Sequence, residues 1–221
     1  MAIILREKLS SKVYTLLKEM IANHRFKPGA RVNVEQLTKE FGVSRTPVWE
    51  AVGRLEQEGL LVNIPNRGVF MAALTPEMAL NLYEVREVLE GMAARLAASR
   101  ISRETLQKML CYLEDQGPIV EAEDLIAYSR SDFEFHAAIY EASGNAVLQE
   151  LLETIKNKMR PLSARIKPAL SLLYEDHKKI LASLKSGDPE QAEKFIRIHN
   201  RRVIALIRKT MDSGAWPLDD Q

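Results

Sequence analysis

From Thr75 to Met211 the chain carries few helix-breaking residues, and they recur at intervals of about one helix length. A stretch punctuated in this way folds as successive helices packed on one another. Thr75-Pro76-Glu77 reads as an N-cap, an N1 proline and an early acid, opening a helix to about Ser99. Ser102 caps a second, ending near Gly117-Pro118, and a third runs from about Glu121 to Ser143, before Gly144-Asn145. A fourth spans 146–165, with Pro161 bending or interrupting its end; a fifth begins near Pro168 and stops at Gly187; Asp188-Pro189 starts a sixth that lasts to about Met211. Six helices with short connections predict an all-α antiparallel bundle over 75–213, followed by a frayed tail at 214–221.

Residues 1–74 are punctuated more densely. Val13, Leu16, Leu17, Met20 and Ile21 sit at helical spacing within 8–24, and Phe26-Lys27-Pro28-Gly29 ends that helix. Asn33 is placed to cap a short second helix that Gly42 stops, with Gln36 three residues on as in a capping box. Ser44 is placed to cap a third, whose early Pro47 is tolerated because the first-turn N–H groups have no intrahelical partner. After Gly59, two short strands at 60–64 and 68–73 flank a turn at Pro65-Asn66-Arg67-Gly68. Helix, helix, tight turn, helix and hairpin form the order of a winged helix-turn-helix, so the expected fold is mainly α, with a winged domain at 1–74 ahead of the bundle.

Net charge is +1, which by itself argues neither for nor against a polyanionic partner. Residues 1–74, however, carry 11 Lys+Arg against 7 Asp+Glu, whereas 75–221 carry 20 against 23. Opposite signs suggest separate tasks. The single cysteine, Cys111, excludes an internal disulfide framework and a multi-cysteine zinc site, and suits a reducing cytoplasm. The opening apolar run Ala2-Ile3-Ile4-Leu5 is too short for a signal peptide, and no stretch approaches the roughly 18 apolar residues of a membrane span. A soluble, cytoplasmic protein is expected.

At 100° per residue, Val48, Ala51, Val52 and Leu55 share one side of the third helix, and Thr46, Trp49, Glu50 and Gly53 the other. Inward packing of the apolar side leaves the start of the helix free. Arg45 there could present its fork to a guanine edge or a phosphate, and Thr46 could meet a phosphate or a thymine methyl. Arg67 in the wing turn could enter a minor groove or grip the backbone. A three-helix protein-interaction module with a merely solvated Arg45 fits the same spacing.

Three of the four histidines, His136, His177 and His199, lie in the bundle. Asp132 and His136 stand at i and i+4 on one helix face, a chelating spacing, and antiparallel neighbours could bring His177 and His199 to the same level. One oxygen and three nitrogens suit Zn, Ni, Mn or Fe, as one divalent metal per chain. Such a set equally describes a metalloenzyme or a structural zinc bundle, although HExxH, P-loop, nucleophile-elbow and GxGxxG motifs are all missing and Glu134, at i+2, points away from both ligands.

The run PGARVNVEQLTKEFGVSRTPVWEAVGRLEQEGLLVNIPNRGVF resembles the winged helix-turn-helix of GntR-family bacterial transcription regulators, above all in Gly42 to Val48, Leu55-Glu56 and Glu58-Gly59-Leu60. The resemblance implies DNA contacts by Arg45, Thr46 and Gly68. It departs at Trp49, where the family usually has arginine, so a phosphate or base contact there is missing or replaced; Trp49 could instead pack on the wing or on another protomer. Residues 75–211 resemble the ligand-binding domain of the FadR-type branch, with six helices rather than seven. That likeness implies a metal on Asp132, His136, His177 and His199, and an Arg86 that faces the pocket and takes an effector carboxylate, unless Arg86 is spent on an intrahelical ion pair with Glu90. Asn145 could hydrogen-bond such an effector. The expected partners are a small organic acid, a second copy of the chain, and a pseudo-palindromic double-stranded operator, because one recognition helix reads too few bases alone.

Overall fold

A computed structural model of the protein describes residues 2–23, 25–163 and 170–213, with side chains outside 2–8 and 160–163. The chain divides into two compact units, Met1–Leu74 and Thr75–Gln221. The first contains α1 (Ala2–Ala22), β1 (Arg31–Val32), α2 (Val34–Phe41), α3 (Arg45–Gln57), β2 (Leu61–Ile64) and β3 (Gly68–Met71). Its core is closed by Leu17 of α1, Val48, Ala51 and Leu55 of α3, and Leu60 ahead of β2, all fully buried. The amphipathic register of α3 therefore turns its first residues outward. Asn33 Oδ1 accepts the Gln36 N–H at 3.1 Å to start α2. Gly42 ends α2 at φ 63°, a left-handed conformation that makes the turn into α3 tight. Ser44 occupies the N-cap position of α3 without a side-chain capping bond, contrary to expectation.

The hairpin belongs to a three-stranded antiparallel sheet ordered β1-β3-β2, with Arg31 opposite Phe70 and Leu61 opposite Met71. Strand β1 has no sequence signature, because two residues carry no periodicity to read.

Among the described residues the second unit has six helices: α4 (Pro76–Ala98), α5 (Arg103–Glu121), α6 (Leu125–Ala142), α7 (Ala146–Ser163), α8 (Leu170–Ser186) and α9 (Pro189–Asp212). Thr75, Ser102, Asp124 and Asp188 each cap the helix that follows. Helix α4 packs against α6, α7, α8 and α9. Ala93, Ala94 and Ala97 are fully buried along it, and a Cβ at Gly91 would stand 2.7 Å from Arg197 Nε, so small residues set how closely α9 approaches. Phe135, Ile139, Tyr140, Ile180 and Ile196 complete the core.

Helix α5 corrects the expectation that it ends at Gly117-Pro118. It runs to Glu121 with Pro118 inside, and its end is closed by Asp124 N–H to Ile119 O (3.2 Å) and Glu123 N–H to Val120 O (3.2 Å). That pairing is a Schellman motif whose left-handed residue is Glu123, at φ 52°. A glutamate gives no stop signal in the sequence, whereas Gly117-Pro118 gives a false one. The side chain of Pro161, the helix start at Pro168 and the tail 214–221 lie outside the described residues. Among the described residues no helix is long and apolar enough to cross a membrane.

Candidate functional site

Two groups of side chains stand out, one in each unit. In the first, Arg45 opens α3 with 71% of its side chain exposed, and Thr46 is exposed beside it. Trp49, one turn further on, is 43% exposed. Arg45 and Trp49 line an open groove with Arg31, Glu35, Gly68 and Val69. Gly68 opens β3 at φ 104°, and a Cβ on it would meet Arg31 Nε at 3.3 Å, so the Arg31 guanidinium closes against the wing. Arg67 is exposed in the wing turn, after Asn66 at φ 62°, with its guanidinium 5.7 Å from the Phe70 ring. Arg45 Nη2 donates to Glu35 Oε1 at 3.1 Å. Sequence reasoning missed Arg31 and Glu35: one sits on the unreadable β1, the other looks like an ordinary first-turn acid of α2.

In the second unit, Asp132 and His136 on α6, His177 on α8 and His199 on α9 converge, with one potential ligand atom from each lying within 4.8 Å of the others. The three imidazoles are buried, with ring centroids 4.8 to 5.4 Å apart. Asp132 Oδ1 lies 3.3 Å from His177 Nε2 and 3.7 Å from His136 Nε2. Neither ring nitrogen makes a hydrogen bond, and His136 Nδ1 and His199 Nδ1 are also without one. The two Nε2 atoms, buried and unpaired beside Asp132, are costly unless something satisfies them, and a divalent cation fits the donor set, whereas the two Nδ1 atoms face Glu90 and Asp176.

The surroundings orient these groups. His177 Nδ1 is 2.8 Å from Gln116 Oε1 on α5. His136 Nδ1 lies 2.9 Å from Glu90 Oε1 on α4, close but off the line of a ring hydrogen bond. His199 Nδ1 stands 4.0 Å from Asp176 Oδ2. Of these only the Gln116 contact is a hydrogen bond, the kind of partner that fixes imidazole orientation in metal sites. Glu90 is fully buried and accepts from Arg86 Nε at 2.8 Å, from Asn200 Nδ2 at 2.6 Å and from the Tyr140 hydroxyl. Arg86 is thus in the ion pair with Glu90, and its guanidinium also lies 5.4 Å from the Tyr83 ring.

Burial and charge act against each other here. Burial would push the Glu90 carboxyl up, but Arg86 and then His136 hold it well below the usual carboxylate range. Burial would likewise raise Asp132, yet His136 and His177 keep it depressed. The His177 and His199 rings are shifted down by burial, His199 further by the charges of its two neighbours, so both favour the neutral form that ligates metal. Burial pushes Tyr83 up to about 12.

Asn145 sits at the head of α7, where its Oδ1 accepts the Leu148 N–H at 3.2 Å. Gln116, Asp176 and Asn200 were not singled out from sequence, since a lone polar residue on a helix carries no signal of burial. Glu90 was visible only as the i+4 partner of Arg86. Glu134 is exposed.

Comparison with known proteins bears on both units. Residues 9–71 match the family model described as "Bacterial regulatory proteins, gntR family", and residues 81–202 match the FCD domain. The Nta operon transcriptional regulator of Aminobacter aminovorans is 31% identical over 86% of this chain and 91% of its own length. The HTH-type transcriptional regulator LutR of Bacillus subtilis is 31% identical over 83% and 94%, respectively. Among solved structures, E. coli McbR/YncC superposes with a TM-score of 0.81 at 25% identity, over 92% of this chain and 98% of that one.

Proposed function

The chain belongs to the GntR family of bacterial regulatory proteins and carries an FCD domain, and from that membership we propose that a small carboxylate, bound at a divalent metal in the second unit, controls its affinity for operator DNA. The family and the winged fold make it a DNA-binding transcription regulator with an effector-binding domain. The metal, the effector class, the individual contacts and a homodimer acting in the cytoplasm are this proposal's own.

One observation carries it: the buried imidazole nitrogens that face Asp132 have no hydrogen-bond partner. Asp132, His136, His177 and His199 would hold the ion, with Zn, Ni, Mn and Fe all compatible with the donors. When bound, the metal supplies a positive centre with room for an anionic ligand. Gln116, paired with His177 Nδ1, keeps that imidazole oriented. The Arg86 guanidinium donates its Nε–H to Glu90 and lies beside Tyr83 and Tyr140, and in this proposal an effector carboxylate would compete with those neighbours for its Nη groups. Asn145 caps α7 near Ser143, whose carbonyl Arg100 binds beyond the end of α4, so its position gives the effector contact no support. In the first unit, Arg45, Thr46, Trp49, Arg67 and Gly68 would meet the duplex, with two copies of the chain reading a pseudo-palindrome.

Against the metalloenzyme alternative, Glu134, which follows Asp132 by two residues on α6, faces solvent rather than the cluster. Coupling of effector to operator requires different effector affinities for the DNA-competent and incompetent arrangements, and about 1 to 3 kcal/mol would shift operator affinity roughly 5- to 150-fold. The test is elemental analysis of wild-type and His136→Ala/His199→Ala protein, followed by calorimetry of an organic-acid panel with and without operator. About one metal per wild-type chain, lost in the variant, with one acid bound to different extents on and off DNA, is expected. Full metal occupancy in the variant, or identical acid affinity in both conditions, would overturn it.

A further inference from the structure

The proposed DNA-reading surface contains a charge of the wrong sign. Glu35 is 63% exposed and lines the same groove as Arg31, Arg45, Trp49 and Gly68. A carboxylate facing a polyanion weakens sequence-independent binding, whose strength comes from cations displacing counterions from phosphates. Its position in the first turn of α2 is favourable to the helix, but any of several neighbouring positions would serve that purpose. Among the described residues its side-chain hydrogen bond is to the Arg45 guanidinium, from Nη2 at 3.1 Å.

That contact uses one of the five N–H donors of the arginine and leaves four. A free arginine at the mouth of a groove can swing to the nearest phosphate, which carries no sequence information, or to a guanine edge, which does. An arginine whose Nη2–H is held by a carboxylate on the neighbouring helix is biased in that choice, modestly because the pair is exposed. Trp49 on the next turn adds no charge to compensate, and it presents an apolar surface suited to a thymine methyl rather than to a phosphate.

Taking Arg45 as a DNA contact from the function proposed above, we propose that Glu35 is a positioning residue that holds the Arg45 guanidinium away from phosphate and towards a base edge, exchanging non-specific affinity for base discrimination. Glu35 touches no base in this scheme. It acts through Arg45.

The test uses full-length protein and duplexes enriched from a random pool, with variants Glu35→Gln, Glu35→Asp and Arg45→Ala. Affinity is measured across a salt series for the enriched duplex, for duplexes changed at one base pair at a time, and for duplex of random sequence. Glu35→Gln should bind random duplex several-fold more tightly, with the salt dependence steeper by roughly one unit as the freed guanidinium takes a phosphate. At the base pair that Arg45→Ala ceases to discriminate, Glu35→Gln should lose about tenfold in discrimination, and Glu35→Asp should retain part of it. A helix-terminal or purely electrostatic role predicts something else: all duplexes gain by the same factor and no base pair loses discrimination. That result overturns the proposal while leaving DNA binding intact. Failure of the wild type to enrich any duplex would sink both this inference and the regulatory reading beneath it.

Discussion

The groove at the start of α3 and the histidine centre of the bundle solve opposite problems. In the groove, charged groups stay in water: Arg45 and Glu35 are 71% and 63% exposed, and their pairing contributes little to stability. In the bundle, Glu90, Arg86 and three imidazoles are withdrawn from water, where an unmatched partner is expensive. The difference teaches where a substitution will be felt. A change in the groove should alter what the protein binds and leave its fold alone, whereas a change in the centre should alter both.

The largest effect expected is therefore from Glu90→Ala. Removing the acceptor shared by Arg86, Tyr140 and Asn200 leaves a buried cation unpaired, and about 3 to 5 kcal/mol of the second unit's stability should be lost. Denaturant unfolding followed by circular dichroism checks this; a loss below about 1 kcal/mol would mean that the network is not tightly held. Metal removal should come next. If ion binds the native state alone, chelation costs about 2.7 kcal/mol at a free metal concentration of 100 times Kd, seen as a lower melting temperature that added metal restores. No shift on chelation would contradict the ligand assignment.

Arg45→Ala sharpens the other side of the comparison. Operator affinity should fall by about 1 to 3 kcal/mol, with unfolding stability unchanged within about 0.5 kcal/mol, because the side chain is exposed. Unfolding and operator titration on the same preparation measure both. The most gradual effect is a pH dependence confined to the bundle. His177 and His199 have folded pKa values below the ordinary 6.5, so the unfolded chain binds more protons and stability falls with acidification below about pH 6.5. The slope in metal-free protein is bounded at about 1.4 kcal/mol per pH unit for each ring, and His199, shifted further, should come nearer that bound than His177. A metal-free bundle equally stable at pH 7 and pH 5.5 would show that these rings are protonated in place.

The same contrast of surface and interior explains what could be read without coordinates. The face of α3 was legible because Val48, Ala51, Val52 and Leu55 follow helical periodicity, and periodicity alone decides which residues point outward. The close of α5 was not, because a left-handed Glu123 looks like any other glutamate. Asp132 and His136 could be paired by their spacing within one helix, but Glu90, Gln116 and Asn200 come from α4, α5 and α9, and no local pattern marks their approach to the histidines.

Sequence by itself determined the mainly helical class, the winged helix-turn-helix ahead of a six-helix bundle, and the outward face of the recognition helix. These follow from local propensity, capping and periodicity, which act over a few residues. The Arg86–Glu90 pair was open to reading as an i,i+4 spacing on one helix, but tertiary structure decided that Glu90 gathers Tyr140 and Asn200 as well, and that Glu35 reaches Arg45 across the turn. Those outcomes depend on which helices pack side by side, and on the requirement that a polar group taken out of water find its partner wherever in the chain that partner lies.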